Sequence, residues 1–335
     1  MKEYKVCVYC TAYNHEKYIK KTLDGFVNQV TNFKFYCVIH DDASTDRTAL
    51  IIKEYEKKYP DLIKGIYQNK NQYSQNINII TEFIAPKVKS DYVAICEGDD
   101  YWIDNSKLQK QVEALESNKD CYMCVHKTIE VYENEITTGM TYPKDNYVEG
   151  RLDIHKLLAN DYSIHTSSYM FVYEKWESYI NNPPYFRQIC DVGDVPYILF
   201  FAYIGNIYYI PDSMSCYRRG VASSWSVSRI NTSDEKMVNN ICKHAKVMMD
   251  TYFEYNKYTD GKFRNICEAK EAYFLFQYSI LLEQNKNFLK KRNLFLHLNL
   301  KQKIFILASL LGPELTQKIY LNRLKKLYKS TMGLS

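Results

Sequence analysis

Several features that would settle the class of this chain at a glance are missing from it. The apolar run Ile304-Phe305-Ile306-Leu307-Ala308-Ser309-Leu310-Leu311 is only eight residues long, where a bilayer-spanning helix needs about 20. No leader-like segment opens the chain. The ten cysteines lie mostly inside apolar runs such as Val6-Cys7-Val8 and Ile95-Cys96, where a thiol acts as a small hydrophobe, so no disulfide framework is implied. Cys121-x-x-Cys124 stands without the second pair that a four-ligand zinc site requires. Together these absences predict a reducing, cytoplasmic location. No glycine lies between Thr11 and Lys21, which removes a Gly-rich phosphate-cradling loop after the first strand. There is no internal repeat and no low-complexity linker.

What is present is a globular balance. The 335 residues are 46% hydrophobic and 25% charged, enough for one large domain or two modest ones. The 32 tyrosines read as amphipathic residues at core edges. Charge is distributed unevenly: residues 286–335 hold eleven Lys/Arg and one acid, Glu314, a net +10, which leaves −5 on residues 1–285. The two parts face different partners.

Periodicity gives the organisation. Lys5–Cys10 reads as a buried strand that stops at the polar turn Thr11-Ala12-Tyr13-Asn14-His15. Tyr18, Ile19, Thr22, Leu23, Phe26, Val27 and Val30 then recur at helical spacing. Phe35–Ile39 is a second strand, ending at His40-Asp41-Asp42-Ala43-Ser44-Thr45-Asp46, and Ala49–Tyr59 a second helix stopped by Pro60. Asp91–Cys96 is a third strand running into Glu97-Gly98-Asp99-Asp100-Tyr101-Trp102, with a helix over Lys107–Ser117. This alternation predicts an α/β fold with a mostly parallel sheet, and polar residues gather at the C-terminal strand ends, where open α/β sheets bind ligands. Residues 122–173 read as short strands and turns, and 235–283 as helical.

Three carboxylates within four residues, Glu97, Asp99 and Asp100, repel one another, and a fold keeps such groups together when a cation sits between them. Mg2+ or Mn2+ suits this donor set, with diphosphate oxygens completing the octahedron; a solvated acidic turn is the bland alternative.

Four ordered motifs carry a family resemblance across residues 4–226. Cys10-Thr11-Ala12-Tyr13-Asn14, Asp41-Asp42-Ala43-Ser44-Thr45-Asp46-Arg47-Thr48, and Glu97-Gly98-Asp99-Asp100-Tyr101-Trp102 with Lys107-Leu108-Gln109-Lys110-Gln111 resemble segments of the family 2 glycosyltransferases with the GT-A fold, in their polysaccharide-assembly branch. Further along, Met214-Ser215-Cys216-Tyr217-Arg218-Arg219 is similar to a Tyr-Arg-x-His segment of the same family, with Gly220 where His is often found. The resemblance implies a GT-A, Rossmann-like sheet flanked by helices. It also implies inverting transfer of a sugar from a nucleotide sugar, of UDP type, to a hydroxyl of a glycan or lipid-linked glycan, with Mn2+ or Mg2+ as cofactor.

By the same resemblance Thr11, Ala12, Tyr13, Asn14 and Asp42 fall where the nucleoside is held, with Asp99 near the ribose. Asp100, Asp99 and Glu97 fall at the metal, Glu97 replacing the first Asp of a D-x-D. Arg218 would clamp the departing diphosphate, and Trp225 in a lid would stack on sugar or close over the donor, unless it is a core residue. Asp194, in Gly193-Asp194 before an apolar helix, matches the catalytic base, with Asp191 its neighbour on the acceptor side; either could instead be a helix N-cap. His165, Ser167 and Ser168 resemble an acceptor-lining segment. Asp41 would support its turn and Asp46 would cap the next helix.

The expected division is a catalytic domain over 1–230, with a nucleotide-binding part to about 120 and an acceptor part over 121–230, followed by a helical appendage over 231–335. In that appendage residues 286–329 alternate Lys/Arg with Phe, Leu and Ile. They would form either a basic amphipathic surface for peripheral contact with the inner face of the membrane, or an oligomerising element. A nucleotidyltransferase is the rival enzyme class and a basic nucleic-acid binder the non-catalytic rival. The acidic, ordered motifs favour neither, so no nucleic-acid partner is expected.

Overall fold

The computed structural model describes residues 2–144, 147–159, 164–221, 233–282 and 292–331. Chain contacts divide it into two compact units, Met1–Pro183 with Phe200–Ser223, and Pro184–Leu199 with Ser224–Ser335.

The first unit is built on one ten-stranded mixed sheet. Its parallel half contains β1 (Tyr4–Ala12), β2 (Phe35–Asp41), β3 (Ile63–Tyr67) and β4 (Ser90–Ile95), side by side in the order β3-β2-β1-β4. The sheet continues through β5 (Tyr101–Trp102), β6 (Cys121–Val131), β7 (Thr137–Tyr142), β8 (Gly150–Arg151), β9 (Met170–Val172) and β10 (Asn206–Arg218). Beyond β4 the order is β9-β6-β10-β5; β6 and β10 run parallel to each other, and β9 and β5 antiparallel to their neighbours. The region read as short strands thus contains an eleven-residue strand, β6. Its residues alternate less cleanly than an amphipathic strand because both faces are covered.

The three helices expected from periodicity form as Ile19–Val27, Thr48–Lys58 and Lys107–Ser117. Ile19, Leu23 and Phe26 bury their stripe against the sheet, with Val6, Val8 and Trp102 in the same core. Val30, placed on that stripe by spacing, is exposed: the helix ends at Val27, and Val30 donates its N–H to the Asn105 carbonyl. All ten cysteines are free thiols, as the apolar runs suggested.

The second unit is helical. Asp234–Tyr258 and Arg264–Leu281 pair lengthwise, and the short Tyr185–Ile189 helix packs on the former. The break between the long helices falls at Asp260-Gly261, both at positive φ, so the helical stretch over 235–283 is a hairpin. Helices Leu300–Leu311 and Pro313–Thr331 close a core of Met237, Phe276, Ile280, Ile306, Tyr320 and Leu324.

Candidate functional site

The site is assembled where the parallel strands end. β1 leaves the sheet at Ala12, and Asn14 takes φ of 55°, which asparagine tolerates. Asn14 then stitches the turn after β1 to the turn after β2. Its N–H donates to Ser44 Oγ at 2.9 Å, and its Oδ1 accepts the Thr45 N–H at 2.8 Å. The stitching continues through His15 N–H to Thr48 Oγ1 and Glu16 N–H to Asp46 Oδ2. Asp46 Oδ1 also accepts the N–H of Thr48, the first residue of the next helix, and Asp41 Oδ2 accepts the Ser44 N–H. Ala43, in the same turn, sits at φ of 61°, a strained position for a residue with a Cβ. Asp42 is buried, and its two oxygens accept N–H bonds from Gln72 and Tyr73. Thr11 is partly exposed, Ala12 buried, and Tyr13 exposed beside them.

The acid turn is pressed against β1. Gly98 donates its N–H to the Thr11 carbonyl at 2.9 Å, and a Cβ on it would stand 2.8 Å from His15 Nδ1, so no side chain fits there. Thr22 Oγ1, from the first helix, holds the carbonyls of Gly98 and Asp100. Asp100 is 1% exposed and its Oδ1 accepts the Arg218 N–H at 2.9 Å. Burial first, and the repulsion of Asp99 and Glu97 second, push its carboxyl well above the usual range, with the Arg218 bond pulling back. Asp99 turns its carboxylate toward His15, at 3.9 Å.

Asp100 is joined there by a residue from elsewhere in the chain. His165 Nε2 lies 3.6 Å from Asp100 Oδ2, and the donor atoms of Glu97, Asp100 and His165 all fall within 4.8 Å of one another. Neighbouring vertices of an octahedron around such an ion are roughly 3 Å apart and opposite ones about 4.2 Å, so the three groups fit a divalent cation with small adjustments. The imidazole is positioned by stacking on Tyr217, with ring centroids 4.2 Å apart, and by Nδ1 contacts to Ser167 Oγ and N–H. Burial pushes its pKa down to about 3, which keeps the ring neutral and able to ligate. Glu97 accepts a hydrogen bond from Thr166 Oγ1 at 3.0 Å. Among the described residues this is the one cluster with metal-binding spacing, and Cys121 and Cys124 form none.

Four residues read as facing a ligand are drawn into or beside the acid turn. Arg218 is 2% exposed, and its guanidinium donates to the Asp99 carbonyl and Glu135 while lying over the rings of Tyr101 and Tyr18. It braces the acid turn from within. Ser167 and Ser168 are also fully buried. Ser167 Oγ bonds Ser215 Oγ, itself bonded to Thr128, and Ser168 Oγ donates to the His165 carbonyl, so neither hydroxyl lines an acceptor surface. Burial decides these cases, and a strand of hydroxyls does not announce its burial. His165, read on the acceptor side, is placed with the carboxylates.

Asp191 and Asp194 belong to the second unit. Asp194 precedes the Val195–Ile204 helix, accepts the Val195 N–H at 2.8 Å, and has a carboxyl raised by burial. Asp191 pairs with His244 Nδ1 at 2.9 Å. Trp225 lies outside the described residues. Sequence reasoning missed His15, Glu135 and Thr166 as supports of the acid turn. His15, ending the first polar turn, and Thr166, next to His165 in the acceptor-like segment, carried some signal; Glu135 carried none.

Known proteins bear on this geometry. A Mycobacterium tuberculosis protein of uncharacterised function is 34% identical over 218 residues, 64% of this chain and 58% of its own length. The chain thus spans little over half of such relatives. Among solved structures, S. aureus TarS in complex with UDP-GlcNAc superposes with a TM-score of 0.60 at 16% identity, covering 97% of this chain and 91% of that one. A mannosyltransferase from Pyrobaculum calidifontis, solved with GDP-Man and Mn2+, gives 0.51 at 14%, covering 94% and 87%. At such identities the likeness establishes the GT-A-like fold. Residues 7–175, half of the chain and the whole stretch from β1 through the acid turn to His165, match the family described as Glycosyl transferase family 2, and the chain belongs to that family.

Proposed function

We propose that this protein transfers a sugar from a nucleotide-sugar donor of UDP type to a hydroxyl of a glycan or lipid-linked glycan, with inversion, in surface polysaccharide or glycoconjugate assembly. The observation that carries the reading is the convergence of Glu97, Asp100 and His165 at the end of β4, beside the laced turns of β1 and β2. The bound UDP-GlcNAc of TarS and the GDP-Man and Mn2+ of the Pyrobaculum enzyme are consistent with it.

In this reading Glu97, Asp100 and His165 hold the divalent ion, and a nitrogen among the ligands favours Mn2+ over the strictly oxygen-seeking Mg2+. The ion supplies charge neutralisation to the diphosphate leaving group. Thr11, Ala12, Tyr13 and Asn14 form the nucleoside side of the site, with Tyr13 free to cover a base. Asp42 anchors the loop next to it and retains lone pairs for a base N–H. Asp99 faces the ribose. Asp194 takes the acceptor proton, a task that a carboxyl raised by burial suits, and Asp191 orders the same segment. Catalysis rests chiefly on positioning and charge stabilisation. The transfer chemistry is assigned to residues 1–230, with 231–335 as helical appendage.

Nucleotide release from UDP-, GDP- and dTDP-sugars, measured with Mn2+ present and with it chelated, tests the reading. Metal-dependent release from a UDP-sugar is expected, and Asp194→Asn should lower transfer by ~10²–10⁴ while leaving donor and metal binding nearly unchanged. Absence of release from every donor, or an unchanged rate in the variant, would remove the function or the base respectively.

A further inference from the structure

The Leu300–Leu311 helix is apolar on two opposite faces. It begins with a full capping box, Asn299 Oδ1 accepting the Gln302 N–H and Gln302 Oε1 accepting the Asn299 N–H, so its register is fixed at the start. One face buries Ile306 and Ser309 and packs Phe305 toward Phe276 and Tyr320 in the core of the second unit. The other carries Leu300, Ile304, Leu307 and Leu311, at spacings of four, three and four, and these are 73%, 54%, 53% and 93% exposed. On the following helix Leu315 and Ile319 are exposed as well. Isolated surface leucines are ordinary; a helical stripe of four is the mark of a contact surface.

Charge decides what the stripe meets. At 100° per residue Lys301 and Lys303 fall on either side of it, and residues 292–331 carry eight Lys/Arg against the single acid Glu314. Two copies of this face would bring like charges together, whereas an anionic bilayer satisfies both the apolar stripe and its basic flanks. No helix among the described residues is long and apolar enough to cross a membrane. We propose that Leu300, Ile304, Leu307 and Leu311, flanked by Lys301 and Lys303, form a face that docks this protein on an anionic lipid surface, by insertion of the leucines at headgroup depth.

The test uses the full chain with vesicles of phosphatidylcholine containing phosphatidylglycerol, and with phosphatidylcholine alone. Co-sedimentation is expected with the former, to fall with added salt, and to be absent with the latter. Leu300→Ser with Leu307→Ser and Leu311→Ser should weaken vesicle binding roughly tenfold for each side chain removed, with far-UV circular dichroism and nucleotide release unchanged. Lys301→Gln should weaken it about fivefold. In Leu307→Trp, the new fluorescence should shift to the blue on anionic vesicles. The proposal is overturned if wild-type protein stays in the supernatant, if it binds both vesicle types equally, or if the triple variant binds as wild type. It is equally overturned if sedimentation shows a dimer that the triple variant dissolves without any vesicle binding.

Discussion

Two charge centres in the first unit, separated only by β5 and a short turn in sequence, each place a charge in the interior, with different partners. At the acid turn Glu97, Asp99 and Asp100 are crowded together, and the partners are polar: Thr166 on Glu97, the Arg218 N–H on Asp100, His165 beside it. At the start of the Lys107–Ser117 helix, Lys107 is fully buried, with Gln111 Oε1 at 2.6 Å, the Trp102 ring 4.0 Å away and, among the described residues, no carboxylate bonded to it. Burial lowers its pKa to about 7. A buried charge is neutralised either by a counter-ion or by giving up its charge. Lys107, its pKa brought down by burial, takes the second course as pH rises past neutrality. The acid turn keeps several carboxylates around an imidazole held neutral, a donor set whose spacing suits a divalent cation.

The largest effect should come from Asp100→Asn. Metal-dependent transfer is expected to drop by ~10²–10³, while the melting temperature without divalent ions rises. A carboxylate whose folded pKa lies above its unfolded one loses stability as pH climbs past the unfolded value, and the amide removes that cost while still accepting the Arg218 N–H. A variant that melts lower than wild type without metal at neutral pH would show that the turn is not electrostatically strained. Next, His165→Gln should weaken Mn2+ binding, read by calorimetry, by ~10–100-fold and erase any preference for Mn2+ over Mg2+. Unchanged Mn2+ affinity would return His165 to a purely packing role.

Arg218→Met should then destabilise the fold by ~2–4 kcal/mol, through lost stacking on Tyr101 and Tyr18 and an uncapped Asp99 carbonyl. Urea unfolding of the two proteins in parallel checks this; equal midpoints would show the brace to be dispensable. Lys107→Met sharpens the contrast most finely. Between pH 7 and 10.5 the folded Lys107 has released a proton that the unfolded chain still holds, so its contribution to stability rises with pH. The advantage of the Met variant should therefore be greatest near pH 7 and below, and shrink toward pH 10.5 by up to about 1.4 kcal/mol per unit. A gap that stays constant with pH would mean Lys107 keeps its charge.

Much of the fold was legible because burial on both faces leaves short, continuous apolar runs: β1, β2 and β4 coincide with the expected strands to within two residues at each end, and the Lys107–Ser117 helix fully. β6 was not legible, since its length is set by pairing with β10, some eighty residues away. At the site, the carboxylates and the Thr11–Asn14 turn were visible as local motifs, while Arg218, Ser167 and Ser168 had the right residue types and the wrong surroundings. Whether a guanidinium or a hydroxyl faces a ligand or the interior depends on what packs over it, and no local pattern carries that.

Residue chemistry and spacing along the chain therefore determined the family, the strand-and-helix alternation and the acidic turn, because each is set by neighbours a few residues apart. Only the folded molecule decided that His165 joins Glu97 and Asp100, that Arg218 serves as an internal brace, and that Leu300, Ile304, Leu307 and Leu311 are exposed while Ile306 is buried. Those outcomes follow from which distant segments exclude water from a given side chain, and that is fixed when the sheet and the helices close.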